Sequence, residues 1–136
     1  TKDGYNLGLK YQCVEFVKRY YYEHYHHKMP NSYGNAKDFY NNQLQDGEYN
    51  KERGLVQYNN ASFSSPKKGD LLVFGPTSYN RFGHVAILSQ VKNGKIEFAQ
   101  QNPGQKNPSR EWRSLSVKEG MYHISDPHII GWLRKQ

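Results

Sequence analysis

The sequence predicts an α+β fold in which N-terminal helices pack on an antiparallel sheet. Three observations carry this. Apolar and aromatic residues recur at positions 13, 16, 17, 20, 21 and 24, the spacing of one helical face. From residue 71 onward that period gives way to short apolar runs separated by Gly, Asn and Pro. Lys92-Asn93-Gly94, between two such runs, is a hairpin signal.

In chain order, residues 1–12 are polar and contain Gly4 and Gly8, an extended lead-in. A helix is expected from Cys13 to about His27, before Pro30. Glu15 in its first turn and Lys28 near its end both suit the helix dipole. A second helix is expected from Asn35 as cap, with Asp38 three residues on, through Phe39 and Tyr40 to about Leu44. Residues 45–62 are polar without a clear period and read as a surface excursion. After the turn Pro66-Lys67-Lys68-Gly69-Asp70, strands are expected at Leu71–Phe74, His84–Val91, Lys95–Gln101, Arg110–Val117 and Met121–Ile124. Ile129–Leu133 is expected to close the sheet.

At 136 residues the chain reads as a single domain, 1–136. Mean hydropathy is −1.01, so the core must be small and the surface very polar. Twelve tyrosines can supply buried rings while their hydroxyls stay wet. The formal charge of +7 favours polyanions: nucleic acid, anionic lipid or a bacterial cell wall. The basic residues are scattered and no nucleic-acid motif accompanies them, so nucleic acid is not the expected partner. No stretch is long and apolar enough to span a membrane. No N-terminal signal segment is seen, and the start at Thr1-Lys2-Asp3 suggests a trimmed or mature product. A monomer is expected. A single cysteine fits a reducing compartment or a secreted bacterial protein without disulfides.

That cysteine, Cys13 in Tyr11-Gln12-Cys13-Val14-Glu15-Phe16, stands where a helix should begin. Unpaired amides at a helix N-terminus, together with an imidazolium, lower a thiol's pKa and can hold an oxyanion. A buried structural thiol is the alternative. His84, after Gly83 at the start of a strand, is the candidate base; His24, His26, His27, His123 and His128 compete with it. His26-His27 lacks a second ligand cluster, so neither metal nor cofactor is expected.

A third group must hold the imidazole's tautomer. With a three-residue hairpin loop, Ala86 faces Gln100 and His84 faces Asn102, which makes Gln100 a diagonal neighbour of His84. A two-residue Asn93-Gly94 turn shifts the register by one and puts Gln101 there instead. Glu97 pairs several residues from His84 in either register, too far to serve. The orienting group is therefore expected to be an amide, Gln100, with Asn102 in support.

These segments resemble the CHAP family of cysteine, histidine-dependent amidohydrolases/peptidases, which have a papain-like core. The resemblance rests on Tyr11–Phe16, Tyr33-Gly34-Asn35-Ala36-Lys37-Asp38, Lys68–Phe74, Gly83-His84-Val85-Ala86-Ile87, Gln100-Gln101-Asn102 and Ile130-Gly131-Trp132, in that order along most of the chain. It implies Cys13 as nucleophile and His84 as base. The family's triplet at 100–102 is Glu-Gln-Asn, and this chain has an amide where the carboxylate stands; papain-like enzymes also use an amide as orienter. The Cys13 N–H with Gln12 or Tyr11 would hold the oxyanion.

The Gly-Asn-Ala-Lys-Asp segment is similar to cell-wall lysins, which cut the muramoyl-L-alanine amide or a stem or cross-bridge bond of peptidoglycan. The Cys13 helix and the tail from Gln100 through Trp132 are similar to glutathionylspermidine amidase domains. Spermidine is polycationic and peptidoglycan anionic, so a +7 chain favours the wall. The first reading implies action in the periplasm, cell wall or outside the cell, the second in the cytoplasm. A non-catalytic module with a papain-like groove, and a plain polyanion binder, are the remaining alternatives.

Overall fold

The computed structural model describes residues 12–27, 39–75, 83–100 and 109–135, the side chains of 12–15 and 109 excepted. Among these are one α-helix, α1 (Gln12–Tyr25), and eight strands: β1 (Glu48–Asn50), β2 (Leu55–Asn59), β3 (Leu71–Phe74), β4 (His84–Lys92), β5 (Lys95–Gln100), β6 (Ser109–Lys118), β7 (Met121–Ile124) and β8 (Ile129–Arg134). They form one sheet in the order β1-β2-β8-β3-β4-β5-β6-β7, antiparallel at every step.

The alternation of β3 shows how the core divides. Leu71 and Val73 join Val85, Ile87, Leu55 and Leu133 on one face, where Val17 and Tyr21 of α1 pack with Phe39. Leu72 and Phe74 join Ala86, Leu88, Ile96, Phe98, Ile124, Ile129 and Trp132 on the other. Both faces are covered, which is why Leu71-Leu72-Val73-Phe74 is continuously apolar. On the second face the sheet curls until Tyr122 of β7 exchanges backbone bonds of 3.0 and 2.7 Å with Ser62, just beyond β2. The Asn60 amide ties the same junction, donating to the carbonyls of Ile124 (3.1 Å) and Ile129 (3.0 Å).

Three expectations need correction. Residues 45–62 are not simply a surface excursion: they hold β1 and β2, with Leu55, Val56 and Gln57 buried. The strand signal was hidden by polar side chains with structural tasks. Asn50 Nδ2 donates to the Phe39 carbonyl and to Gln57 Oε1, both at 3.0 Å, and Gln57 Nε2 donates to the Asn41 carbonyl at 2.7 Å. The second helix does not reach Leu44. Phe39 is in 3₁₀ conformation and residues 40–44 are irregular. There Asn41 accepts from its neighbour Gln43 N at 3.0 Å, a local bond that competes with helix. The proposed start of that helix, 35–38, lies outside the described residues. Finally, β8 does not close the sheet but lies inside it between β2 and β3. Its residues serve both cores, Leu133 on the helix side and Ile129 and Trp132 on the other.

Candidate active site

The hairpin between β4 and β5 contains both registers that the sequence allows. At its tip Lys92 faces Lys95 and Val91 faces Ile96, across a two-residue turn with Asn93 at φ 52° and Gly94 at φ 74°. Between Leu88 and Gln90 a bulge adds one residue to β4. Beyond it Leu88 faces Phe98 and Ile87 faces Ala99, the register of a three-residue loop. Continued by one step, this sets Ala86 opposite Gln100 and makes His84 the diagonal neighbour of Gln100. Glu97 is taken up at the bulge, where it accepts from Ser89 Oγ (2.7 Å), Gln90 Nε2 (3.1 Å) and Arg110 Nη1 (3.1 Å).

His84 and Gln100 meet: Nε2 of the imidazole lies 2.6 Å from Gln100 Oε1. Gln100, buried at the end of β5, also donates from its Nε2 to Glu111 Oε2 on β6. The geometry of the second bond follows from the ladder, since Gln100 faces Ser109 and Glu111 is the next residue on the same face. A carboxylate accepts only, so it receives the amide NH₂ and turns the amide oxygen to the imidazole. His84 Nε2 must then carry the proton, which leaves the lone pair on Nδ1.

The polar chain continues. Arg113 Nη2 donates to Glu111 Oε1 at 3.2 Å, its Nε donates to Asp126 Oδ2 at 2.9 Å, and its guanidinium lies over Phe98, 5.2 Å from the ring centre. Asp126 Oδ1 accepts the His128 backbone N–H at 2.9 Å. A cavity of about 250 Å³ opens onto this row; Phe74, Gly83, His84, Gln100, Glu111 and His128 are among the residues lining it. Burial lowers the His84 pKa, partly opposed by the Gln100 bond and the Glu111 charge. Gly83 enters β4 at φ 79°, a conformation that favours glycine just before the imidazole.

Cys13 is the second residue of α1, in the first turn. Its side chain and that of Gln12, and all of Tyr11 and Asn102, lie outside the described residues. At the other end of the helix His26 is exposed, with φ 52°, and His27 Nε2 is engaged with the Arg53 carbonyl at 2.8 Å. Among the described residues no three His, Cys, Asp or Glu side chains are grouped to hold a metal. Glu111, Arg113 and Asp126 were not singled out from sequence. The available signal was the β5–β6 register, which sets Glu111 beside Gln100 once the strands are paired.

The CHAP domain family model matches residues 3–102, about three quarters of the chain. The chain belongs to the CHAP domain family. Among curated proteins, this CHAP domain is 31% identical over 140 residues to the glutathionylspermidine synthase of Crithidia fasciculata, covering 96% of the chain and 19% of that protein. It is 28% identical over 139 residues to the bifunctional glutathionylspermidine synthetase/amidase of Escherichia coli, covering 93% of the chain and 22% of that protein. The chain thus spans about a fifth of the length of these relatives. Among solved structures, the wild-type endolysin LysIME-EF1 matches 99% of this chain and 56% of its own, with TM-score 0.55 and 19% identity, a likeness of fold.

Proposed function

We propose that this CHAP domain is a cysteine-dependent amidohydrolase/peptidase that hydrolyses an amide of bacterial peptidoglycan, at the muramoyl-L-alanine bond or within the stem or cross-bridge. The observation that carries the reading is the imidazole of His84, oriented by Gln100 at 2.6 Å, at the edge of a cavity. In the proposed cycle the Cys13 thiol gives its proton to His84 Nδ1. The thiolate attacks the amide carbonyl, and the Cys13 N–H with a group from Gln12 or Tyr11 holds the oxyanion. The imidazolium protonates the leaving amine as the C–N bond breaks. His84 then takes a proton from water, which releases the acid and restores the thiol. Gln100 orients the ring throughout, with Asn102 in support.

The net charge of +7 supports the wall as substrate, since an anionic polymer is drawn to it. This reading places the domain at the cell wall, outside the cytoplasm. A second reading, a glutathionylspermidine amidase acting in the cytoplasm, has two supports. The Escherichia coli relative, matched across 93% of the chain, is named a glutathionylspermidine synthetase/amidase. The cavity also holds two carboxylates, Glu111 and Asp126, against the one guanidinium of Arg113, a local acidity that suits a polyamine.

Incubation with purified muropeptides and, separately, with glutathionylspermidine, followed by mass analysis, tests both. Muropeptide cleavage that is lost in Cys13→Ala and in His84→Ala, with the fold retained, is the expected result. Cleavage of glutathionylspermidine alone reverses the substrate. Undiminished hydrolysis in Cys13→Ala overturns the mechanism. A Cys13 thiol with ordinary reactivity toward a small electrophile at neutral pH would instead indicate a non-catalytic module.

A further inference from the structure

The amide of Gln100 does not define its own orientation. A side-chain amide turned by 180° offers NH₂ where it offered oxygen. If Gln100 presented its NH₂ to His84, Nε2 would have to accept, the ring proton would move to Nδ1, and the lone pair required of a base would be lost. Something must therefore select one of the two orientations. Phe74, on the opposite side, packs against the His84 ring at 5.2 Å between centroids and offers no hydrogen bond. The group that bonds Gln100 Nε2 is the carboxylate of Glu111.

We infer that Glu111 is a positioning residue of this site: it locks the Gln100 amide, and through it the Nε2–H tautomer of His84, and supplies from β6 the negative charge that position 100 lacks. The inference rests on the amidohydrolase reading for its catalytic consequence, not for its tautomeric one. The carboxylate is itself held in place. Arg113 bonds its other oxygen at 3.2 Å and is anchored by Asp126 at 2.9 Å. The His–Gln–Glu row crosses three adjacent strands by diagonal steps, so the sheet's own register aligns it. Among the described residues, the charged or titratable groups that line the cavity with His84 are Glu111 and Arg113 from β6 and Asp126 and His128 from the segment before β8, with Phe74 from β3; the proposed nucleophile Cys13 belongs to α1. Glu111 stabilises the imidazolium, and burial opposes it.

The test compares Glu111→Leu, Glu111→Gln and the exchange Gln100→Glu/Glu111→Gln. The Glu111 side chain is 43% exposed, so its replacement leaves the core intact; the exchange also alters buried Gln100, and thermal denaturation checks that it folds. The first readout needs no substrate: ¹⁵N NMR of the histidine rings reports the His84 tautomer. Wild type should be Nε2–H. Glu111→Leu should lose that uniformity, because nothing then selects the amide orientation. Glu111→Gln should lose it too, and the charge with it, because its single side-chain oxygen is taken by the Arg113 donor and its NH₂ then faces Gln100. The second readout is the pH profile of amide hydrolysis. Glu111→Leu should lower kcat on the order of 10–100-fold with KM within about twofold. Both single variants should move the alkaline limb to lower pH, because the imidazolium loses its stabilising carboxylate. The exchange, which places the carboxylate directly on the ring, should restore that limb. An unchanged tautomer and an unchanged limb in Glu111→Leu overturn the inference. If hydrolysis persists in Cys13→Ala while the tautomer responds as stated, the amidohydrolase reading fails and the positioning of His84 by Glu111 stands.

Discussion

Asp70, in the Lys68-Gly69-Asp70 turn before β3, is 1% exposed and holds Arg134 of β8 with two bonds, 2.8 Å from Nε and 2.7 Å from Nη2. It also accepts the Lys67 backbone N–H at 2.8 Å. Its own carbonyl accepts Leu88 N–H at 2.8 Å, so the residue fixes both neighbours of β3, and with them the strand that brings Phe74 to His84. Asp70→Ala leaves a guanidinium without its counter-charge. Breaking a buried pair costs about 3–5 kcal/mol. Arg134 is 19% exposed and keeps bonds to Ser64 (3.1 Å) and Ser65 (2.9 Å), which argues for the lower end. The freed Lys67 amide adds ~1 kcal/mol. With an unfolding entropy of about 2.1 cal/mol/K per residue, a loss of ~4 kcal/mol lowers Tm by roughly 14 °C for a domain of this size. Thermal denaturation at neutral pH measures it. Asp70→Leu/Arg134→Met, which removes both charges, should recover to within ~2 kcal/mol of wild type. A shift under about 3 °C in Asp70→Ala, or a double variant no better than the single, refutes the assignment of the loss to a stranded charge.

Gly131→Ala places a Cβ against the Tyr58 carbonyl oxygen and 2.5 Å from Tyr40 Cε1, in the middle of the sheet; a loss of about 1–3 kcal/mol by urea denaturation is expected. Phe98→Ala, at 1% exposure beneath Arg113 and edge-on to Phe74 at 5.4 Å, should cost about 3–5 kcal/mol. Phe63→Ala, at 70% exposure, should move the midpoint little, and equal losses in the two would contradict the burial argument. Burial lowers the His84 pKa, so the unfolded chain binds the proton more readily. Stability from this group is therefore present above the unfolded value of about 6.5 and lost as pH falls. Comparing Tm between pH 8 and pH 5, His84→Gln should lose less on acidification than wild type.

The strands with clean punctuation were legible in the sequence. Met121–Ile124 matches the expected bounds, and β3, β4, β5, β6 and β8 lie within a residue or so of theirs, allowing for the described range. Polarity concealed β1 and β2. Asn50 and Gln57 are buried because their amides satisfy backbone around Phe39 and Asn41, and no hydropathy pattern records a partner that far away in the chain. At the site, the choice between Gln100 and Gln101 depended on loop length. The structure answers with a two-residue turn and then a bulge, and local sequence gave no sign of the extra residue. Glu111 was out of reach for a related reason. Its proximity to Gln100 is a property of the β5–β6 pairing, whose register no turn signal in the sequence fixes. Lys18 departs from the helical pattern as well: it is fully buried, and burial followed by the Arg53 charge takes its pKa down to about 8.

The bulge at Ser89 also separates two lengths of one hairpin mechanically. Inward of it, alignment is dictated by the partners of Ile87 and Leu88; outward, by the geometry of Asn93-Gly94. A splice at the tip, such as a fluorophore loop or an affinity tag, therefore has a slack link between itself and the imidazole. Reporters grafted at residues 93–94 should leave hydrolysis unaltered, which offers a handle for immobilising the domain with its cleft facing outward.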